Sequence, residues 1–240
     1  MRLSIWATLF VATASPVPGT AACVAESGRA RVHLVELYTS EGCSSCPPAE
    51  QWLSTLRDKP AYVGIEFHVD YWDLKDWHDP YADARYTARQ KAQAAHDARS
   101  MIYTPQIRVD GRLWREWPKA PPPESAATTA PMLKIEVSPA SALHVELTSS
   151  GGENDRVYVA VIEDGLSNAI RGGENRGKTL HHDHVVRAFA GPLPLGSASA
   201  DLRVPEEMDR ARARVVAFVQ DTRDETVSQV VPLPLGACMP

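Results

Sequence analysis

Cys43 and Cys46, separated by Ser44-Ser45 and followed at once by Pro47-Pro48, constrain the fold of this chain more than any other segment. Two intervening residues let the sulfurs close a disulfide within a single turn. A pair of prolines is tolerated where backbone N–H donors are not needed, which is the first turn of a helix. The pattern predicts a helix opening at Cys43 and running toward Lys59, with Pro60 closing it. Before it, Val32 to Tyr38 reads as a buried strand and Thr39 to Gly42 as a turn. An exposed Cys43 would then sit among unsatisfied N–H groups that favour a thiolate, with Cys46 one turn further in to resolve a mixed disulfide. Glu41, two residues earlier, would oppose a low thiolate pKa if its carboxylate points inward. A zinc knuckle needs a second ligand pair, and the other cysteines, Cys23 and Cys238, are terminal.

The N-terminal residues bear on how those cysteines are read. Arg2 supplies a positive start, Leu3 to Ala14 is mostly apolar, and small residues follow through Ala21-Ala22. This is the pattern of a secretory signal over residues 1–22; Pro16, Pro18 and Gly19 interrupt it too early for a membrane anchor. Export places the mature chain in the periplasm or outside the cell, where disulfides persist and four cysteines allow three pairings. Besides Cys43–Cys46, a Cys23–Cys238 bridge would tie the two ends of the mature chain together. The alternatives are that Cys23 leaves with the signal and Cys238 stays a free thiol, or that Cys23 carries a lipid. A net charge of −5 with no basic run removes the electrostatic reason to expect nucleic acid, and no later segment is apolar enough to span a membrane.

Further along, Tyr62 to Val69 alternates as a second strand, and Asp76 to Ser100, rich in Ala, Arg, Gln and Lys, predicts a helix with a solvated face. Thr104-Pro105 leads into a short strand, Gln106 to Val109, and the turn Asp110-Gly111. Alternating elements of this length predict an α/β domain over residues 23–117. Composition shifts at the proline-rich stretch 118–131, which reads as a linker. Beyond it lie seven short strand-like runs, over 133–137, 143–148, 157–162, 184–189, 200–204, 215–220 and 227–231. They predict a small antiparallel β-sandwich as a separate domain over 132–240.

The order strand, turn, CxxC, helix, with Thr104-Pro105 ahead of a later strand, resembles the thioredoxin superfamily. More closely, Glu36 to Pro48, His68-Val69-Asp70-Tyr71-Trp72, Tyr103 to Gln106 and Gly173-Glu174-Asn175-Arg176-Gly177 together resemble a secreted thioredoxin-like family, the one known as domain of unknown function 1223. The resemblance implies an α/β thioredoxin-like domain, an exported location and a redox CxxC. It also implies that the Pro105 peptide bond is cis and that Thr104 and Pro105 shape a peptide site. Glu36 matches the position of the buried acid that helps deprotonate the resolving cysteine of thioredoxins. Ser44-Ser45 stands where thioredoxin has Gly-Pro, and this dipeptide tunes potential, so the direction of electron flow is not implied.

The expected function is an exported thiol-disulfide oxidoreductase acting on protein thiols or disulfides, without a cofactor. Cys43, Cys46, Pro105 and Glu36 would do the chemistry, and Thr104, Tyr71 and Trp72 would contact substrate. The alternative is a periplasmic Cu(I) carrier, because two thiolates and the His68 imidazole suit a soft ion. Histidines 182 and 184 of His181-His182-Asp183-His184 would share one side of a strand and form a further metal candidate. The Gly172–Gly177 segment lacks P-loop spacing and reads as a long loop that could contact the redox domain.

Overall fold

The computed structural model describes residues 23–28, 30–73, 76–120, 130–138, 143–236 and 238. The signal-like segment 1–22 and the central part of the proline-rich stretch, 121–129, lie outside the described residues. The first half of the chain forms β1 (Cys23–Glu26), β2 (His33–Thr39), α1 (Pro47–Ser54), β3 (Tyr62–His68), α2 (Ala84–Ala94), β4 (Gln106–Val109) and β5 (Arg112–Leu113). The second half forms β6 (Leu133–Ser138), β7 (Leu143–Ser149), β8 (Asp155–Glu163), β9 (Leu166–Ala169), β10 (Thr179–His182), β11 (Val185–Leu193), β12 (Gly196–Leu202), β13 (Ala213–Asp221) and β14 (Val227–Pro234), with a 3-10 turn at Arg210–Arg212.

The seven strand-like runs of the second half are all strands, but they do not make a domain of their own. One eight-stranded mixed sheet runs in the order β14-β13-β8-β11-β3-β2-β4-β5. Its seam is a parallel pairing of β11 with β3, at Val185 and Glu66. The expected α/β thioredoxin-like domain followed by a separate sandwich is therefore corrected to a largely β architecture, with two α-helices among the described residues. The physical reason lies in β3. Every residue of this strand is buried, so neither its faces nor its edge can be left to water, and the second half of the chain supplies the missing neighbour. The expected helix over 76–100 shrinks to the eleven residues of α2, capped by Asp83, whose side chain accepts from the Arg85 N–H. The expected helix from Cys43 to Lys59 shrinks to α1, with Pro47 at its first position.

Period-two alternation sets the layers. Val157, Val159 and Val161 of β8, with Val215, Ala217 and Val219 of β13, pack against Leu133, Ile135, Leu143 and Val145 of a four-stranded sheet ordered β1-β6-β7-β12. The intervening residues Tyr158, Ala160, Ile162, Val216 and Phe218 face the other way and join Leu34, Tyr38, Ile65, Phe67 and Tyr86 of α2. Val35, Leu37 and Ile107 pack under Ala49, Leu53 and Leu56 of the α1 region. Hence α1 and the four-stranded sheet cover one face of the large sheet, and α2 covers the other. A Cys23–Cys238 disulfide spans 215 positions. Closing so long a loop restricts the unfolded chain by about 5 kcal/mol in the entropy model.

Arg89 of α2 reaches from this second face into the sheet. Its guanidinium lies 5.2–5.7 Å from the ring centroids of Phe67, Tyr158, Phe189 and Phe218, and 2.7 Å from a Glu36 carboxylate oxygen. Breaking a buried pair from one side leaves an uncompensated charge. Arg89→Met is expected to lower unfolding free energy by about 3–5 kcal/mol, and Arg89→Met with Glu36→Leu to recover most of that loss. Urea denaturation of both variants checks this, and a near-neutral Arg89→Met would refute it.

Candidate functional site

The turn after β2 is held by its own backbone. Cys43 N donates to Ser40 O at 3.1 Å, Gly42 N to the Ser40 hydroxyl at 3.1 Å, and Cys46 N to Cys43 O at 3.3 Å. Cys43 and Cys46 form a disulfide, and Cys46 is the N-cap of α1. Gly42 sits at a close approach, since a Cβ there would lie 3.1 Å from the Trp72 carbonyl oxygen and 3.2 Å from its Cβ. Trp72 in turn donates its indole N–H to the Thr104 hydroxyl at 2.7 Å. The Thr104–Pro105 peptide is cis, and the next residue, Gln106, pairs with Tyr38 in the sheet. Register thus brings the cysteine turn, Trp72 and Thr104-Pro105 to one end of the sheet.

Sequence reasoning expects Cys43 to be exposed; it is 1% exposed and Cys46 is fully buried. The cover comes from the loop between β9 and β10. Asn175 donates its side-chain amide to Glu41 O and Cys43 O, both at 2.9 Å. Glu174 accepts from Ser44 N at 3.0 Å and the Ser44 hydroxyl at 2.6 Å, which holds its carboxyl below the usual carboxylate range. Gly173, at φ +66°, lets the loop lie against Gly42, and Arg176 pairs with Asp76 at 2.9 Å. The loop contact expected of Gly172–Gly177 is therefore real, and the loop covers the disulfide.

Beneath the turn lies a buried polar cluster: Thr39, Glu41, Glu50, Glu66, His68, Asp79 and His182, each no more than 3% exposed. Alternation along β3 turns Glu66 and His68 to the α1 face, while Ile65 and Phe67 turn to the α2 face. Glu50 is one helical turn from Cys46 and accepts from the Thr39 hydroxyl at 2.5 Å. His68 bonds Asp79 through Nδ1 at 2.7 Å and Glu66 through Nε2 at 2.8 Å. His182 bonds Glu50 through Nδ1 at 3.1 Å and Glu41 through Nε2 at 3.2 Å. Asn168 and Trp77 also donate to Glu41, at 2.7 and 3.1 Å. Burial alone would lower the His68 pKa, but Asp79 and Glu66 more than offset it and push it up to about 10. Burial raises the Glu50 carboxyl, reinforced by neighbouring Glu66. Asp79 is held low by His68 despite its burial.

Other expected site residues are placed differently. Glu36 lies on the α2 face of β2, bonded to Arg89 and to Gln93 at 2.9 Å, whereas α1 and its Cys46 cap lie on the opposite face. Both His68 ring nitrogens are held by carboxylates. Tyr71 is exposed and its hydroxyl bonds Gln90, whose amide donates to Tyr103 O, so it flanks the Thr104-Pro105 segment. Trp72 is half-buried and belongs partly to the core. His182 and His184 do not share a site: β10 ends at His182, and His184 at φ 61° turns away to Arg214 and Asp164. Sequence reasoning missed Glu50, Glu66, Asp79 and Asn175. The four-residue step from Cys46 to Glu50 and the alternation of Glu66 with His68 were available as signals. Nothing local marks Asp79, whereas Asn175 lies in the Gly173–Gly177 motif, where no role was assigned to it.

A family model described as protein of unknown function (DUF1223) matches residues 34–220. No curated protein matches the chain. Among solved structures, an X-ray crystal structure of an Agrobacterium tumefaciens protein is similar with a TM-score of 0.60 at 20% identity, covering 88% of this chain and 96% of that one. That likeness extends the fold across both halves of the chain. No helix among the described residues is long and apolar enough to cross a membrane.

Asn175→Ala removes both side-chain bonds over the disulfide. It is expected to raise the rate at which a small phosphine reduces Cys43–Cys46 severalfold and to cost about 1–3 kcal/mol of stability. Mass spectrometry of alkylated thiols over time reads the rate, and an unchanged rate would show that the loop does not gate access.

Proposed function

The chain belongs to the DUF1223 family, and from that premise we propose an exported thiol-disulfide oxidoreductase, periplasmic or secreted, that exchanges Cys43–Cys46 with protein thiols. The observation that carries the reading is a disulfide closed across the turn that caps α1, at the same sheet end as Thr104-Pro105. A partner thiolate attacks Cys43 Sγ and forms a mixed disulfide, and Cys46 leaves as a thiolate near the positive end of α1. A second partner thiolate then attacks the partner sulfur of that bond. Cys43 is released as a thiolate, so the partner is oxidised by two electrons and the protein holds a dithiol. The reverse direction passes through the same intermediate.

Access requires the Glu174–Asn175 segment to release Ser44 and Cys43. Exposed Ser44, Ser45, Tyr71 and Met101 then provide the adjoining surface for a partner chain. Export is supported by the signal pattern of the sequence and by two disulfides, which persist in oxidising compartments. A Cu(I) carrier would need the His68 imidazole turned to the sulfurs, and its nitrogens are turned to Glu66 and Asp79. Glu36 has no part in this reading, because it lies across the sheet from α1.

The expected reduction potential of Cys43–Cys46 falls between about −120 and −270 mV, the span of catalytic dithiols. Equilibration with glutathione buffers measures it. Cys46→Ser, whose Cys43 thiolate can attack but not be resolved, should trap a mixed disulfide with a test protein that carries a disulfide, and Cys43→Ser should trap none. A potential below about −300 mV together with no trapped adduct would refute the exchange reading.

A further inference from the structure

Glu66, His68 and His182 converge so that one ligating atom from each lies within 4.8 Å of the other two. His68 Nε2 is 2.8 Å from Glu66 Oε1, and His182 Nδ1 is 3.5 Å from the same oxygen and 3.1 Å from Glu50 Oε2. Ligand atoms about 2.0–2.2 Å from a tetrahedral zinc-class ion stand roughly 3.3–3.6 Å apart, so shifts of about 1 Å or less bring these three atoms to that spacing. We propose that Glu66, His68 Nε2 and His182 Nδ1 form a buried binding site for a divalent first-row transition ion of the zinc class, separate from the cysteines.

Three further observations support the assignment. Each imidazole is held from behind: His68 Nδ1 by Asp79 at 2.7 Å, and His182 Nε2 by Glu41 at 3.2 Å. With the far nitrogens kept protonated by those carboxylates, an entering ion would displace the protons that His68 Nε2 and His182 Nδ1 donate to Glu66 and Glu50, leaving the carboxylate–histidine arrangement that orients metal-binding imidazoles. Second, Glu66 Oε2 is buried with no hydrogen-bond partner. An orphaned buried carboxylate oxygen bears its full desolvation cost, which coordination removes. Third, four buried carboxylates face two imidazoles, so the carboxylates outnumber the positive charge even with both rings cationic.

The donor chemistry narrows the ion. Two imidazoles and one carboxylate suit Zn2+, Fe2+ or Co2+; a Cu(I) site would favour thiolates, and Mg2+ or Ca2+ would favour an all-oxygen set. The three protein ligands, each at most 1% exposed, join β3 to the β9–β10 hairpin, and Glu50 of α1 is hydrogen-bonded to His182 beside them.

The full chain, treated with a chelator and then titrated with Zn2+ by calorimetry, should bind one ion per chain and show a raised Tm. Absence of both would overturn the proposal. Co2+ should give the absorption of a tetrahedral nitrogen–oxygen site, and sulfur-to-cobalt charge-transfer bands would overturn it. Glu66→Gln and His182→Gln should each weaken Zn2+ binding at least about 100-fold, and Asp79→Asn about 10–100-fold. Undiminished binding in Glu66→Gln and His182→Gln would refute this ligand set. Cys43→Ser with Cys46→Ser should bind Zn2+ as the parent does, and loss of binding there would refute it. Failure of thiol exchange leaves each of these readouts unaffected, so the two readings stand or fall separately.

Discussion

Arg89 carries a full positive charge into the middle of the protein, and much of the large sheet is arranged around it. Its guanidinium sits among Phe67 from the first half of the chain and Tyr158, Phe189 and Phe218 from the second. It is neutralised by Glu36 and hydrogen-bonded to Gln220 at 3.0 Å. A cation over several aromatic faces gains about 0.5–2 kcal/mol per face, more when desolvated. An isolated buried guanidinium would be prohibitive. The charge is therefore stable only when β2, β3, β8, β11 and β13 are all assembled, which makes the eight-stranded sheet a cooperative unit across the two halves.

The other face of the same sheet bears a different electrostatic load. Turning Glu66 and His68 toward α1 places them with Glu41, Glu50, Asp79 and His182 in a dry layer under the cysteine turn. Almost every polar atom there is partnered, and the partners come from β2, its following turn, α1, β3, the segment after β3, and β10. The disulfide consequently rests on a rigid floor and beneath a loop joined to that floor through His182. Access to the sulfurs and integrity of the buried cluster are mechanically linked, because both depend on where the β9–β10 hairpin sits.

Much of the local structure was legible in the residue pattern. Alternation located β2, β3 and all seven longer strands of the second half, and the Cys43–Pro48 segment located α1, though its start was expected at Cys43 and lies at Pro47. The Cys43–Cys46 disulfide followed from cysteine spacing, whereas the Cys23–Cys238 bridge was one of several alternatives that the sequence left open. The candidate site was legible only in part. Cys43 and Cys46 were visible, and the cis bond at Pro105 followed from resemblance, but Glu36 was assigned to the wrong face for a role at Cys46. A strand residue's face is fixed by what packs on each side, and the sequence does not say which helix lies where. Glu50 and Glu66 carried a periodic signal that gained meaning only once α1 was laid over β3.

By itself, the sequence determined the elements that depend on neighbours a few residues away: strand alternation, the proline-started helix and the short-range Cys43–Cys46 pair. Only the tertiary structure decided that β11 would pair with β3 and merge the two halves into one sheet. The same pairing buried Cys43 under Asn175 and gathered Glu41, Glu50, Glu66, His68, Asp79 and His182 into one cluster. Those outcomes rest on contacts between residues up to 141 positions apart, such as Glu41 with His182. Burial and charge compensation select such contacts only when the whole core forms, so no local pattern in the chain encodes them.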